Sequence, residues 1–204
     1  MYELTCLNLI TGKRFSLFFD SMYKLRNFVY KCNYSKKIKI ITKPLNWNKW
    51  GDKMKRPDWD EYWMQIANYA KTRSTCIRRN VGAVIVKNNQ ILSMGYNGAP
   101  TKLKHCEETG CLRQQMNVPS GERAEICRAI HAEQNAIIHA AKHGVSIEGA
   151  TIYVTSSPCN ICAKILINSG ISEIVYEEEY PDKIANDLLK SANIKLRRRK
   201  INEI

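Results

Sequence analysis

The strongest constraint on this chain is a pair of short motifs, His131-Ala132-Glu133 and Pro158-Cys159-Asn160-Ile161-Cys162. One imidazole and two thiolates fill three of the four tetrahedral positions on a zinc ion, and a catalytic site keeps the fourth for water. The metal lowers the pKa of that water towards neutrality. Glu133, two residues from the His ligand, is then available for proton transfer rather than for the metal. Taken singly, a Cys-x-x-Cys serves as well for a structural zinc half-site or a redox pair, and a His-x-Glu is an ordinary polar helix face. A closed structural site on these residues would need Glu133 as its fourth ligand.

The flanking residues say how such a site is assembled. Arg128 to His143 is rich in Ala and Ile and reads as a helix, with His131 near its start. Thr151 to Thr155 is an apolar, β-branched run and reads as a buried strand. Ser156 and Ser157 offer N-cap hydroxyls, and Pro158 suits a first helical position. Cys159 and Cys162 then share a face of one first turn, where the positive helix end favours the metal-binding thiolate. Two helix starts aimed at one point would build the site.

A length of 204 residues suggests one full domain with a small appendage, and 44% apolar residues are ample for a core. No run of about 18 apolar residues is present, so no membrane span is expected. The N-terminus has no charged start leading into an apolar stretch, so a cytoplasmic protein is expected. Eight cysteines in such a chain point to metal ligands and free thiols rather than disulfides. The net charge of +13 and pI near 9.4 suit anionic ligands, nucleotides or nucleic acid. Residues 1–55 hold twelve Lys and Arg against Glu3, Asp20 and Asp52, about two-thirds of the excess.

Residues 1–43 read as a small basic ββαβ module: strands over Tyr2–Ile10, Arg14–Phe19 and Lys37–Thr42, with a helix from Asp20 or Ser21 to Tyr30. It carries no chemical motif. A packing or oligomerisation role is the simpler expectation, with a nucleic-acid contact left open by its charge. Residues 44–56 form a Trp-, Asn- and Lys-rich linker, and residues 57–204 the main domain. That domain opens with a helix from Pro57 or Asp58 to about Arg73, its buried face marked by Trp59, Tyr62, Trp63, Ile66, Ala67 and Ala70. Strands follow at Val81–Val86 and Gln90–Tyr96, joined by a tight turn. Gly95 to Pro100 is a loop whose glycines would let backbone approach a ligand and whose Asn97 offers both a donor and an acceptor.

Thr101 to Arg123 has little hydrophobic periodicity and reads as a long loop, which usually needs a clasp or a task. Cys106, Cys111 and Cys127, with the earlier Cys76, could supply a second, closed zinc site, His105 replacing one of them. After the Cys159 helix come a strand at Ile174–Tyr176, a polar loop, a helix from Asp182 to Ala192, a strand at Ile194–Leu196 and a basic tail from Arg197 to Lys200. Strands alternating with helices imply an α/β domain of three layers, with a sheet of about five strands.

From about Arg56 to Leu196 the sequence resembles the deoxycytidylate (dCMP) deaminases of the cytidine deaminase-like superfamily. The H-x-E…P-C-x-x-C order is a known signature of zinc nucleobase deaminases. The narrower resemblance rests on Val81-Gly82-Ala83-Val84, Gly95-Tyr96-Asn97-Gly98, Gly121-Glu122-Arg123, His131 to Ala136, Gly149 to Thr155, Ser157 to Cys162, Val175-Tyr176 and Tyr180. It implies a three-layer α/β/α fold with a mixed sheet, and hydrolysis of dCMP to dUMP and ammonia, which feeds thymidylate synthesis. His131, Cys159 and Cys162 would hold the catalytic zinc, and Glu133 would carry the proton from water to N3 of cytosine and on to the leaving amine. Asn97 and Tyr180 would line the pocket, and Arg78 and Arg79 are the candidates for the phosphate.

Members of the family are commonly hexamers, activated by dCTP and inhibited by dTTP with Mg²⁺. His139 and Lys142 match positions near the interfaces of relatives. Some phage relatives hold a second zinc on two Cys and two His. Here Cys76 and Cys106 match the thiols, but Gly121 and Glu125 stand at the two His positions, so Cys111 and Cys127 become the substitute ligands. The rival readings are a tRNA adenosine deaminase, with the basic module holding RNA, and a dual dCTP/dCMP deaminase. A zinc scaffold without catalysis would have no use for Glu133.

Overall fold

The computed structural model describes residues 2–8, 11, 13–19, 24, 28, 38–42, 56–119 and 122–200. The chain divides into two compact units, Met1–Arg56 and Pro57–Ile204.

In the first unit β1 (Tyr2–Asn8) pairs antiparallel with both β2 (Arg14–Phe19) and β3 (Ile38–Thr42), giving the order β2-β1-β3. Lys24 and Phe28 are helical, as the expected intervening helix requires; the rest of that helix and the 44–55 linker lie outside the described residues.

The second unit is a five-stranded sheet in the order β5-β4-β6-β7-β8. Its strands are β4 (Gly82–Lys87), β5 (Gln90–Tyr96), β6 (Thr151–Ser156), β7 (Glu173–Glu178) and β8 (Lys195–Arg198). β4 runs antiparallel to β5 and β6, whereas β6, β7 and β8 are parallel. Asn88 and Asn89, both with positive φ, make the two-residue hairpin turn between β4 and β5. Side chains of β4 alternate between two cores. Ala83 and Ile85 join Ile152, Val154, Leu166 and Ile174 on one face. Val84 and Val86 join Trp63, Met64, Ala67, Tyr153 and Val175 on the other. Helix α1 (Trp59–Lys71), capped by Asp58, covers the second face. The first face is covered by α4 (Ala132–Lys142), α5 (Asn160–Asn168) and α6 (Lys183–Ser191). The result is the three-layer α/β/α architecture of the cytidine deaminase-like fold.

Three expectations need correction. Trp59 and Tyr62 are not buried on α1; both are over 40% exposed, Trp59 stacking on the buried Trp63 and Tyr62 meeting it edge-on. Residues 101–123 are not a plain loop. They hold α2 (Cys106–Thr109) and α3 (Leu112–Gln115), with a 3₁₀ turn following at Ala124–Ile126. Arg197 is not part of a basic tail. It lies in β8 and donates to Asp60 at 2.7 Å and to Glu173 at 2.6 Å, while Asp60 also accepts from the Tyr153 hydroxyl. The hydrogen bond from Arg197 holds the Asp60 carboxyl below its usual range. A solvated-tail reading fails because a strand pairing through Arg198 delivers the guanidinium to two carboxylates.

Gly95 shows how closely the layers approach. A Cβ there would run into the carbonyl of Ala132 and the amide of Ala136, so it is the first turn of α4 that this glycine admits, and not a ligand. Ser93 Oγ donates to the Ala136 carbonyl at 2.6 Å, and Asn135 Nδ2 to the Tyr96 carbonyl at 2.7 Å, fastening α4 to β5. Overpacking a close-packed contact typically costs about 1–3 kcal/mol. Gly95→Ala is therefore expected to lower stability by about that amount in urea unfolding and to weaken zinc retention against a chelator, since His131 rides on the displaced turn. Unchanged zinc retention would show that α4 is not positioned by this contact.

Candidate metal centre and its pocket

His131 is the N-cap residue of α4, and Cys159 is the N-cap of α5. Pro158 therefore precedes the cap instead of opening the helix, and the serines before it do not cap. The sequence places the thiols on one turn, but the local fold starts that turn two residues later than the Ser-Ser-Pro run suggests, at Asn160 instead of Pro158. Asp182 caps it from a distance. Its Oδ2 accepts from the Asn160 backbone and side-chain amides, both at 2.9 Å, while its Oδ1 accepts from Ala185 N in the first turn of α6 at 3.0 Å. Gln134 closes α4 by accepting from His131 N at 2.8 Å.

These two helix starts meet. His131 Nδ1 lies 3.3 Å from Cys162 Sγ and 3.5 Å from Cys159 Sγ. Among the described residues, His131, Cys159 and Cys162 are the group whose ligand atoms all fall within 4.8 Å of one another. Zn–S and Zn–N bonds of about 2.3 and 2.0 Å at a tetrahedral angle place sulfur and nitrogen about 3.5 Å apart. The donor types and their spacing thus fit a zinc ion.

Ionisation follows the packing. The hydrogen bond from Cys162 pulls Cys159 down to about 4, against its burial and with help from His131. Cys162 is pushed well up by giving that hydrogen bond and by burial. His131 is raised, chiefly by its bond to Cys159. Glu133 is 4% exposed, and burial raises its carboxyl above the ordinary carboxylate range.

One cavity of about 300 Å³ takes in His131, Glu133 and Cys159 together with Asn97, Tyr180, Arg78 and Arg79. Asn97 is buried and mostly committed. Its Oδ1 accepts from Ser74 Oγ at 2.6 Å and from Val81 N at 2.8 Å, and its Nδ2 donates to the Arg79 carbonyl at 2.8 Å. One N–H of its amide is left over for another acceptor. Ser157 Oγ accepts from Tyr180 N at 2.7 Å and fixes that residue beside the metal helix. Arg79 lies 5.3 Å from the Tyr180 ring centroid and donates to Ser156 Oγ at 3.0 Å.

Cys76, Cys106, Cys111 and Cys127 line the same cavity as thiols. Burial, then the neighbouring thiols, raises Cys106. No three of them share the 4.8 Å spacing of the His131 group. His105 is not among the cavity residues; its Nδ1 pairs with Thr75 Oγ1 at 2.9 Å. His139 and Lys142 are exposed on α4, with His139 bonded to the Met94 carbonyl at 3.0 Å. Ser74 and Arg113 were not singled out by sequence, and Ser157 and Asp182 were read only as helix-start residues. Only Arg113 had a visible signal, standing two residues after Cys111 as Arg78 stands two after Cys76.

A His, Cys and Cys triad at two helix starts, with a buried Glu beside it on a mixed five-stranded sheet, is the arrangement of the cytidine deaminase-like class. The family model for the cytidine and deoxycytidylate deaminase zinc-binding region matches residues 57–178, and the chain belongs to that family. It is 37% identical over 143 residues to the deoxycytidylate deaminase of Schizosaccharomyces pombe, covering 70% of this chain and 44% of the relative. To that of Mycobacterium phage D29 it is 41% identical over 131 residues, covering 62% and 99%. The dCMP deaminase of cyanophage S-TIM5, solved in complex with dCMP and dUMP, superposes with a TM-score of 0.58 at 29% identity, covering 71% of this chain and 99% of that one. The chain spans under half the length of the yeast relatives it matches. Among the described residues no helix is long and apolar enough to cross a membrane.

Removing one N-cap typically costs about 1 kcal/mol. Asp182→Ala removes two caps at once and is expected to cost about 2 kcal/mol in urea unfolding, with Asp182→Asn, which has one acceptor oxygen in place of two, recovering about half of it. A loss near zero would mean that the carboxylate caps neither helix.

Proposed function

We propose that the chain hydrolyses dCMP to dUMP and ammonia. The observation that carries this reading is the buried Glu133 carboxyl beside His131, Cys159 and Cys162 in a cavity that also holds Asn97, Tyr180 and a pair of arginines. His131 Nδ1 and the two sulfurs would hold a zinc ion, whose contribution would be to make water acidic enough to attack at neutral pH. Glu133 takes the proton of that water, delivers it to N3 of the cytosine ring, and then helps protonate the departing amine. Its buried setting suits a group that must carry a proton as readily as release one. The remaining amide N–H of Asn97 serves a hydroxyl or base acceptor, Tyr180 forms a pocket wall, and Arg78 and Arg79 meet the phosphate.

Residues 57–204 form the catalytic domain in this reading, and residues 1–43 an accessory module. The family resemblance supports activation by dCTP, inhibition by dTTP with Mg²⁺, and a homohexamer. The exposed His139 and Lys142 lie on the helix face we assign to that interface. A second, structural zinc on Cys76, Cys106, Cys111 and Cys127 completes the reading; its support is that four thiols line one wall.

Two measurements test this. Ammonia release is expected with dCMP and not with a tRNA adenosine substrate, and Glu133→Gln should keep its zinc while losing turnover by roughly 10³-fold or more. Near-normal activity in that variant would sink the mechanism. Metal analysis should find about two zinc ions per chain. A single zinc, with Cys76, Cys106, Cys111 and Cys127 all titrating as thiols, would reject the structural site.

A further inference from the structure

Asn97 enters the cavity from the loop after β5, and its amide is held by three other residues. Val81 N donates to Oδ1 at 2.8 Å, and the Arg79 carbonyl accepts from Nδ2 at 2.8 Å. A backbone N–H can only donate and a carbonyl can only accept, so these two contacts fix which way round the amide stands. The third holder is Ser74, whose Oγ donates to Oδ1 at 2.6 Å. Ser74 and Asn97 are both buried, but Ser74 itself is not among the cavity residues.

The three holds are not equivalent. Asn97 N also donates to the Val81 carbonyl, at 3.2 Å, so Arg79 and Val81 bind Asn97 only to the stretch that leads into β4. Ser74 binds it to something else. Its N donates to the carbonyl of Lys71, the last residue of α1, at 3.0 Å, and its Oγ accepts from Cys76 N at 3.3 Å. One hydroxyl thereby joins the end of α1, the segment that carries Cys76, Arg78 and Arg79, and the loop of Asn97. It also fills the second lone pair of Oδ1. With one N–H spent on Arg79, what Asn97 keeps for the cavity is a single N–H.

We propose that Ser74 is a positioning residue for the substrate. Without touching the ligand, its hydroxyl holds the Asn97 amide so that the pocket offers the nucleoside part of a nucleotide a donor, and no acceptor, at that point. That the ligand is a nucleotide rests on the deaminase reading; the hold of Ser74 on Asn97 does not. Deleting the hydroxyl leaves Oδ1 of Asn97 short of a donor and Cys76 N short of an acceptor in a buried place, and such losses are felt by whatever the group was holding.

The test is calorimetric binding of dUMP and of deoxyuridine to the zinc-loaded full chain and to its Ser74→Ala, Ser74→Thr, Asn97→Ala and Ser74→Ala/Asn97→Ala forms, beside the kinetics of ammonia release from dCMP. Ser74→Ala should weaken dUMP and deoxyuridine by the same factor, roughly tenfold. It should raise KM for dCMP by that factor while kcat stays within about twofold. Ser74→Thr, which keeps the hydroxyl, should recover most of the loss. Because Ser74 acts through Asn97, adding Ser74→Ala to Asn97→Ala should cost nothing further. Unchanged affinity for both ligands in Ser74→Ala would overturn the proposal. So would losses that multiply in the double variant, which would mean that Ser74 acts elsewhere in the fold. A wild type that binds neither dUMP nor deoxyuridine would overturn it as well. A wild type that binds dUMP yet releases no ammonia from dCMP would remove the deaminase reading, and the dUMP affinities of the variants would still decide for or against Ser74.

Discussion

Two sulfurs, an imidazole nitrogen and a carboxyl crowd into a space from which water is largely excluded, and the first three have the donor types and spacing that a divalent cation such as zinc requires. Everything around the centre serves the requirement that these groups arrive together. The sheet provides a rigid floor. The starts of α4 and α5 both point to the same place, and the positive end of α5 favours the thiolate of Cys159 at its cap. Gly95 lets the first helix come close enough, and Asp182 fixes the second.

The same crowding divides labour between neighbouring residues. Thr155 and Ser156 end β6 inside the molecule, where Thr155 Oγ1 accepts from Gly82 N and Ser156 accepts from Arg79. Asn97 spends most of its amide on holding its own loop, through Ser74, Val81 and the Arg79 carbonyl. The loop after β5 is also tied to the segment before His131 by paired backbone bonds between Gly98 and Ile130. A residue facing a pocket is here also a piece of its frame, so substituting Asn97 would disturb shape and recognition together.

Much of this could be read before any coordinates. His131, Glu133, Cys159 and Cys162 announce themselves because metal ligation restricts both residue type and spacing. The strands of the sheet follow from β-branched runs, and α1 from its periodic apolar face. The errors have physical causes. Trp59 and Tyr62 match the helical period, but ring contacts with Trp63, stacked for Trp59 and edge-on for Tyr62, satisfy them without full burial. Arg197 looked like tail charge because its partners Asp60 and Glu173 are distant in sequence. Asp182 read as a helix start, which it is, but its second client, Asn160, lies on another helix. The segment from 101 to 123 lacks periodicity because its helices are single turns.

The double cap at Asp182 has a mechanical consequence. Through Asn160 it grips the helix of the two thiols, and through Ala185 the helix that closes the domain. Two residues before it, Tyr180 is pinned by Ser157, which leads into Cys159. The metal wall and the aromatic wall of the cavity are thereby cross-braced into one panel. Such a panel has no hinge of its own. The rest of the cavity's lining is of a different kind, for the stretch with Cys106, Cys111 and Arg113 is built from two single-turn helices with no such brace.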